Sequence, residues 1–135
     1  MINKMNIKHL NYQFLYKPLV IGGKAMEYYG LRKAGDDIDL VIHLDDHVYL
    51  KEKYPDNIKD IHGDIGICVG DFEVWNQIMT FDYEYLRENS VEDGEFLIIS
   101  LERLLFLKAL TIDTLKGHDD LKMIVELILK KAYKK

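Results

Sequence analysis

Two aspartates separated by one residue stand at the start of an apolar segment, and they constrain the fold and the chemistry of the chain more than any other feature. Residues 37–42 read Asp-Ile-Asp-Leu-Val-Ile, a pattern that predicts a strand. Side chains two apart on a strand point to the same face, so Asp37 and Asp39 are expected side by side. Their repulsion would be relieved by a cation such as Mg²⁺, which prefers oxygen ligands. The alternative is a solvated strand start with ordinary turn aspartates.

A glycine pair, Gly22-Gly23, lies upstream between a short apolar segment and a helical pattern. Glycines allow backbone N–H groups to approach an anion closely, and Lys24 adds a cation for a phosphate. The alternative is a tight strand-to-helix turn. A P-loop is excluded because Gly-x-x-x-x-Gly-Lys-Ser/Thr is absent. An EF-hand fails because Ile42 occupies its glycine position.

The remaining segments alternate between the two periodicities. We predict strands at residues 18–21, 38–42, 65–69, 72–75 and 96–99, and helices at 6–16, 25–29, 46–54, 81–88 and 118–132, with a further helix capped by Ser100. The connection Gly70-Asp71 is expected to be a bulge. We therefore expect one domain over residues 1–135, of α/β or α+β class, with a small mixed sheet covered by helices and two helices at the C-terminus.

Composition narrows the class of protein. The net charge of −5 provides no general basic surface for nucleic acid, and the basic residues 130–135 fit the end of a helix. No apolar run approaches a membrane span, and the first six residues lack the core of a secretion signal. A single cysteine, Cys68, excludes an internal disulfide. We expect a cytoplasmic protein that does not enter a membrane.

Other catalytic constellations are poorly represented. Serine occurs only at Ser90 and Ser100, so a Ser-His-Asp centre is not expected. The five histidines and one cysteine do not have zinc spacing. His43 and His47 stand four residues apart and are expected on the surface.

Residues 21–26, 30–32 and 37–40 together resemble the signature of the nucleotidyltransferase superfamily, whose members share a fold with DNA polymerase β. That signature is a hydrophobic residue, Gly-Gly or Gly-Ser, a helix, and a hydrophobic-flanked Asp-x-Asp. The resemblance implies that Gly22 and Gly23 lie under the triphosphate of an NTP and that Asp37 and Asp39 hold Mg²⁺.

The same resemblance implies a third carboxylate on a later strand. Glu73, between Phe72 and Val74, matches that position best, although relatives more often carry aspartate there. Asp71 and Asp64 are the other candidates. A solvent-facing strand glutamate without a role is the alternative for Glu73.

Residues 99–108 resemble a capped helix with one inward lysine in small bacterial members, which include antibiotic-modifying enzymes and the toxins of abortive-infection systems. Lys108 shares a helix face with apolar residues (Leu101, Leu104, Leu105, Ile112 and Leu115). A charge there needs a protein carboxylate or a bound phosphate, unless it reaches the surface. Lys116 and Asp120 fit a Lys-x-x-x-Asp arrangement of relatives, or a plain helix pair.

We therefore expect a Mg²⁺-dependent transfer of a nucleoside monophosphate from an NTP to an acceptor hydroxyl, with Asp37, Asp39 and Glu73 as catalytic and metal-binding residues. The nucleotide would be bound by Gly22, Gly23, Lys24, Arg32, Lys108 and Lys116, with Arg32 alternatively anchoring the turn before Asp37. The acceptor is a small molecule, tRNA or protein, and a homodimer is possible. The alternatives are a catalytically silent nucleotide-binding or interaction module, and a toxin-antitoxin component acting on RNA or protein.

Overall fold

The computed structural model describes residues 5–133, which form a mixed α/β fold. A 3-10 helix at Ile7–Leu10 comes first. The strands are β1 (Leu19–Val20), β2 (Ile38–Val41), β3 (Ile58–Ile61), β4 (Asp64–Val69), β5 (Phe72–Trp75), β6 (Gln77–Ile78), β7 (Phe81–Asp82), β8 (Val91–Asp93) and β9 (Phe96–Ile98). The α-helices are α1 (Gly22–Tyr28), α2 (Leu44–Lys53), α3 (Tyr83–Leu86), α4 (Leu101–Ala109) and α5 (Leu115–Tyr133).

Seven of these strands form one sheet in the order β3-β4-β5-β2-β1-β9-β8, and β6 and β7 make a separate hairpin. The pairs β2/β5 and β1/β9 are parallel, and the other pairs in the large sheet are antiparallel. The mixed sheet and the two C-terminal helices are as predicted from the sequence.

One face of the sheet is apolar across five neighbouring strands. The fully buried side chains that form it are Ile67, Val74, Leu40, Val20 and Ile98, which stand opposite one another in the strand register. Each contributes roughly 1.5–3 kcal/mol by leaving water. Because successive side chains on a strand alternate, the residues between them point to the opposite face, where the polar groups described below lie.

The predicted helix at residues 6–16 is wrong, since only its first turn is helical. Asn11 adopts a left-handed conformation that ends the turn. Beyond it, the buried carboxylate of Asp46 accepts hydrogen bonds from the Tyr12 hydroxyl and from the backbone N–H groups of Leu15 and Tyr16. Those N–H groups bond a side chain on α2 in place of helix carbonyls, so the segment stays irregular.

Several local predictions need correction. The Gly70-Asp71 connection is a tight two-residue hairpin, with Val69 opposite Phe72 and a positive φ at Gly70. The segment 81–88 begins as strand β7 before its short helix. His47 is buried, and its Nε2 lies 2.9 Å from the carbonyl oxygen of Ile65.

The C-terminal predictions are confirmed. Ser100 caps α4, and its Oγ accepts a hydrogen bond from the backbone N–H of Arg103 at 3.1 Å. Helix α5 begins three residues earlier than residue 118 and packs against α4. Among residues 5–133, no helix is long and apolar enough to cross a membrane.

Candidate active site

Three side chains point from neighbouring strands to the less apolar face of the sheet. Cys68 on β4 stands opposite Glu73 on β5, and Glu73 stands opposite Asp39 on β2. Adjacent strands lie roughly 4.8 Å apart, so Asp39 and Glu73 are neighbouring residues on the same face of the sheet. Asp37 precedes β2 and is exposed to solvent. Parallel pairing of β2 with β5 thus brings together Asp39 and the favoured candidate for the third carboxylate.

The electrostatics of Asp39 reflect this crowding. Burial raises the pKa of Asp39 to about 6, and the negative charges of Glu73 and Asp37 act in the same direction. The positive charges of Lys108 and Lys116 oppose the rise only in part. A carboxyl group whose pKa is raised by burial and by two other carboxylates, with cations near it, is typical of a functional site.

The glycine turn packs directly against Asp39. Gly22 has a φ of +64°, and a Cβ at this position would lie 2.7 Å from Asp39 Oδ2. The N–H of Ile21 donates to the carbonyl oxygen of Asp39 at 3.1 Å. Only glycine fits this contact, both because of its backbone conformation and because of the space. The two motifs singled out in the sequence therefore meet at van der Waals distance.

A buried ion-pair cluster lies beside the turn. Asp120 on α5 is 1% exposed. Arg32 donates to both of its oxygens, from Nε at 2.7 Å and from Nη2 at 2.8 Å. Lys108 Nζ lies 2.9 Å from Asp120 Oδ2. Burial alone would raise the pKa of Asp120, but the hydrogen bonds and charges of Arg32 and Lys108 outweigh it and hold the pKa at about 2.

Arg32 connects this cluster to the glycine turn. A Cβ on Gly23 would lie 3.6 Å from Arg32 Nη1, which also donates to the carbonyl oxygen of Lys33 at 3.0 Å. Arg32 therefore anchors the connection between α1 and β2, one of the two roles considered for it. Lys108 likewise meets a protein carboxylate, one of the two anions expected for it.

The other two predicted cations differ in exposure. Lys24 is 8% exposed, and it forms no ion pair with a carboxylate of residues 5–133. Lys116 is exposed, and its charge acts on Asp39. Asp120 pairs with Arg32 and Lys108, so the predicted Lys116–Asp120 helix pair is not formed. Lys116 remains a cation at the edge of the carboxylates.

The other candidates for the third carboxylate have other positions. Asp71 is exposed in the turn between β4 and β5. Asp64 is buried at the far end of β4, where it accepts a hydrogen bond from the backbone N–H of Met79 at 2.7 Å. Glu73 alone stands opposite Asp39 in the strand register.

Lys59 is a neighbour of these carboxylates that the sequence analysis missed. Its Nζ lies 3.5 Å from Glu73 Oε1 and 5.9 Å from the ring centroid of Trp75. Lys59 belongs to β3, a short edge strand that was not predicted because its exposed and charged residues weaken the apolar signal. The only sequence signal of this strand was its two terminal isoleucines, Ile58 and Ile61.

The donor set of Asp37, Asp39 and Glu73 fits Mg²⁺ chemically, because it offers only carboxylate oxygens. A cation would also relieve the repulsion that contributes to the raised pKa of Asp39. Within the part of the chain that the structure describes, however, no three His, Cys, Asp or Glu side chains are already gathered as a metal-binding group. Binding a metal therefore requires side-chain movement, for which Asp37 and Glu73 at the surface have room.

A separate groove lies away from these residues. It has a volume of about 830 Å³ and runs along the N-terminal segment, where Tyr12, Leu15, Lys17 and Pro18 face the β8–β9 turn at Glu95. None of the carboxylates above lines it. No family model, curated protein or solved structure matches this chain. The carboxylates and the glycine turn are therefore the features that indicate the chemistry of this chain.

Proposed function

We propose that this chain is a Mg²⁺-dependent nucleotidyltransferase with the fold of the nucleotidyltransferase superfamily. It would move a nucleoside monophosphate from an NTP to an acceptor hydroxyl. One observation carries the proposal: Asp39 stands beside Glu73 on a parallel strand and against the backbone of Gly22. Carboxylates next to a glycine turn suit a metal–triphosphate ligand, since one part binds the cation and the other accommodates the anion.

The metal would be held by Asp39, Asp37 and Glu73. When bound, Mg²⁺ supplies positive charge that lowers the pKa of the acceptor hydroxyl and neutralises the phosphates. In the reaction the acceptor oxygen bonds to the α-phosphorus while the bond to the bridging oxygen of pyrophosphate breaks. The proton of the acceptor would pass to solvent or to Glu73, whose partly exposed carboxylate can accept it.

The remaining residues would bind the triphosphate. Gly22 and Gly23 are partly exposed, and because neither has a side chain, their backbone N–H groups would allow a phosphate to come close. Lys116 is exposed near Asp39 and can move to a phosphate without leaving a partner. We assign Lys24, Arg32 and Lys108 to the surrounding positive charge, with Arg32 and Lys108 oriented by Asp120.

The test is labelling of acceptors with α-³²P-NTPs in the presence of Mg²⁺. Total RNA, a protein extract and aminoglycosides would serve as separate acceptor pools, and each of the four NTPs would be offered. We expect one pool to be labelled, and labelling to disappear in Asp37→Asn but not in Asp36→Asn. Asp36 is the matched control because it is the exposed neighbour with the same charge.

A silent nucleotide-binding module is the second candidate, and particular contacts favour it. Glu73 is paired with Lys59, and Arg32 and Lys108 are both occupied by Asp120. In that case Mg²⁺ with an NTP raises the melting temperature of the protein, yet no acceptor pool is labelled. If Mg²⁺ and all four NTPs leave the melting temperature unchanged, both candidates are wrong.

A further inference from the structure

The two acidic residues that pair in register across β2 and β5 have unlike surroundings. Glu73 forms an ion pair with Lys59, and the side chains are 25% and 49% exposed. Asp39 has no ion pair of this kind within residues 5–133, and only the more distant charges of Lys108 and Lys116 favour its ionised form. Among residues 5–133, Lys59 is therefore the one cation that forms an ion pair with either of these two residues, and its partner is Glu73.

Lys59 reaches Glu73 across an aromatic surface. Its residue stands opposite Gly66 in the pairing of β3 with β4, and Gly66 in turn stands opposite Trp75. A Cβ on Gly66 would meet the Trp75 ring at 3.0 Å, so the absent side chain makes room for the ring. Lys59 Nζ lies 5.9 Å from the centroid of that ring, within the range of a cation–π contact.

A divalent cation at Glu73 and the ammonium of Lys59 would compete for the same carboxylate. Both are drawn to the same carboxylate, and they repel at the distance that simultaneous contact would impose. Pairing with Lys59 also orients Glu73 toward β3, which lies on the side of β5 away from Asp39. With Glu73 oriented in this way, no three ligands are gathered for a metal among residues 5–133.

We propose that Lys59 is a built-in counter-ion of Glu73 that competes with the metal ion and leaves the carboxylate when the metal binds. The inference rests on the proposed function, since it takes Glu73 as a metal ligand. Lys59 acts through Glu73 and is a positioning residue. It holds the third carboxylate in one orientation while the site is empty, and it lowers the affinity for free Mg²⁺.

Trp75 provides the readout because it is the one tryptophan of the chain. A departing ammonium changes the electric field at the indole ring, so Mg²⁺ should change the emission of Trp75. The experiment titrates Mg²⁺ alone, at constant ionic strength, into the wild type and into Lys59→Met, Lys59→Arg, Lys53→Met and Glu73→Gln. Trp75 emission and the melting temperature are both followed. Lys53 is the matched control, because its Nζ also lies over an aromatic ring, that of Tyr54 at 6.0 Å.

We expect Lys59→Met to bind Mg²⁺ about two- to fivefold more tightly, the range that a partly exposed ion pair allows. Its Trp75 emission should no longer respond, while Lys53→Met should behave as the wild type in both readouts. Lys59→Arg should retain the wild-type affinity, because arginine also pairs with a carboxylate. Glu73→Gln should lose the Trp75 response.

Equal Mg²⁺ affinities of Lys59→Met and Lys53→Met would overturn the inference. So would a Glu73→Gln variant that responds as the wild type, and in that case a metal site at Asp37 and Asp39 would still stand. If the wild type shows no Mg²⁺ response in emission or in melting temperature, the metal site itself is wrong, and the inference falls with it.

Discussion

Arg32 donates hydrogen bonds to both carboxylate oxygens of Asp120, at 2.7 and 2.8 Å, although Arg32 and Asp120 are 88 residues apart along the chain. Lys108 joins them at 2.9 Å, so the α1–β2 connection, α4 and α5 meet at one buried carboxylate. A two-bond contact between a guanidinium and a carboxylate fixes orientation as well as distance. The ion pairs of Asp120 thereby fix the positions of α4 and α5 relative to the glycine turn.

Asp120→Asn should lower the free energy of unfolding by about 3 kcal/mol at pH 7. The substitution leaves two partly buried cations without their anion, which costs more than the loss of a surface pair. Urea unfolding followed by circular dichroism measures the change. Asp119→Asn is the control, because its residue is the exposed neighbour and loses the same charge. An equal, small effect of both variants would contradict a structural role for the cluster.

The Asp120 carboxylate should also make the free energy of unfolding depend on pH in the acidic range. The pKa of Asp120 in the folded chain is about 2, below its ordinary value of 3.8. The folded state therefore binds the proton less readily, and the stabilisation is present above about pH 4 and is lost as the pH falls toward 2. The difference in unfolding free energy between the wild type and Asp120→Asn should shrink over this window. A constant difference from pH 5 to pH 2 would show that the pKa is not depressed.

Asp39→Asn should raise the free energy of unfolding at pH 7, whereas Asp120→Asn should lower it. Because the pKa of Asp39 is raised to about 6, the folded state binds its proton more readily than the unfolded state between about pH 4 and pH 6. Its contribution to the unfolding free energy falls as the pH rises through this window. At pH 7 the variant should be more stable by about 1–3 kcal/mol, after allowance for partial exposure.

The gain in stability should come with a loss of binding. Without the Asp39 carboxylate, Mg²⁺ with an NTP should no longer raise the melting temperature. A site that destabilises the fold when empty and is needed for the ligand is the expected signature of function. Unchanged stability between pH 5 and pH 7 in both proteins would contradict the raised pKa, whatever the ligand does.

Local sequence patterns predicted the parts of the site that lie within one element or one turn. The strand position of Asp39, the glycine turn at Gly22 and the Ser100 cap depend on a few neighbouring residues, so their geometry follows from local backbone structure. Asp37 was expected beside Asp39 on the strand, but β2 begins at Ile38 and leaves Asp37 exposed before it.

The inward position of Lys108 was also predicted from helical spacing. The predicted helix face was too long, however, because α4 ends at Ala109 and both Ile112 and Leu115 are exposed. The need of Lys108 for an anion was predicted as well, although the identity of that anion was left open.

Contacts between distant segments could not be predicted in this way. Glu73 stands beside Asp39 because β2 pairs in parallel with β5, and no local pattern specifies which strands pair. Likewise nothing near Arg32 points to Asp120 as its partner. Lys59 was missed because the edge strand that carries it has little apolar signal, while the leading helix was wrongly predicted because the buried Asp46 binds its backbone N–H groups.

Gly22→Ala and Gly30→Ala form a matched pair that isolates the contact with Asp39. Both glycines have positive φ, at 64° and 73°, so alanine is strained at either position by roughly 1–2 kcal/mol. A Cβ at residue 30 meets nothing within 4 Å, whereas at residue 22 it comes within 2.7 Å of Asp39 Oδ2. We expect Gly22→Ala to be the less stable variant by at least about 1 kcal/mol and to lose stabilisation by Mg²⁺ with an NTP. Equal stability of the two variants in urea would mean that Asp39 is not packed against the turn.

The buried carboxylate of Asp46 anchors the N-terminal segment. Asp46 is 0% exposed and accepts hydrogen bonds from the Tyr12 hydroxyl at 2.7 Å and from two backbone N–H groups, at 2.9 and 3.0 Å. Tyr12→Phe removes one of these bonds and should cost about 1 kcal/mol. Asp46→Asn should cost more, because the new amide N–H₂ faces a backbone donor.

Both variants should act on the segment rather than on the candidate active site. Hydrogen exchange of the N–H groups of Leu15 and Tyr16 should accelerate strongly in Asp46→Asn and weakly in Tyr12→Phe, since only the first change weakens their acceptor. The Mg²⁺ dependence of the melting temperature should stay as in the wild type, because the Asp46 carboxylate binds Tyr12, Leu15 and Tyr16. Equal exchange rates in Asp46→Asn and the wild type would mean that other contacts hold residues 11–17 in place.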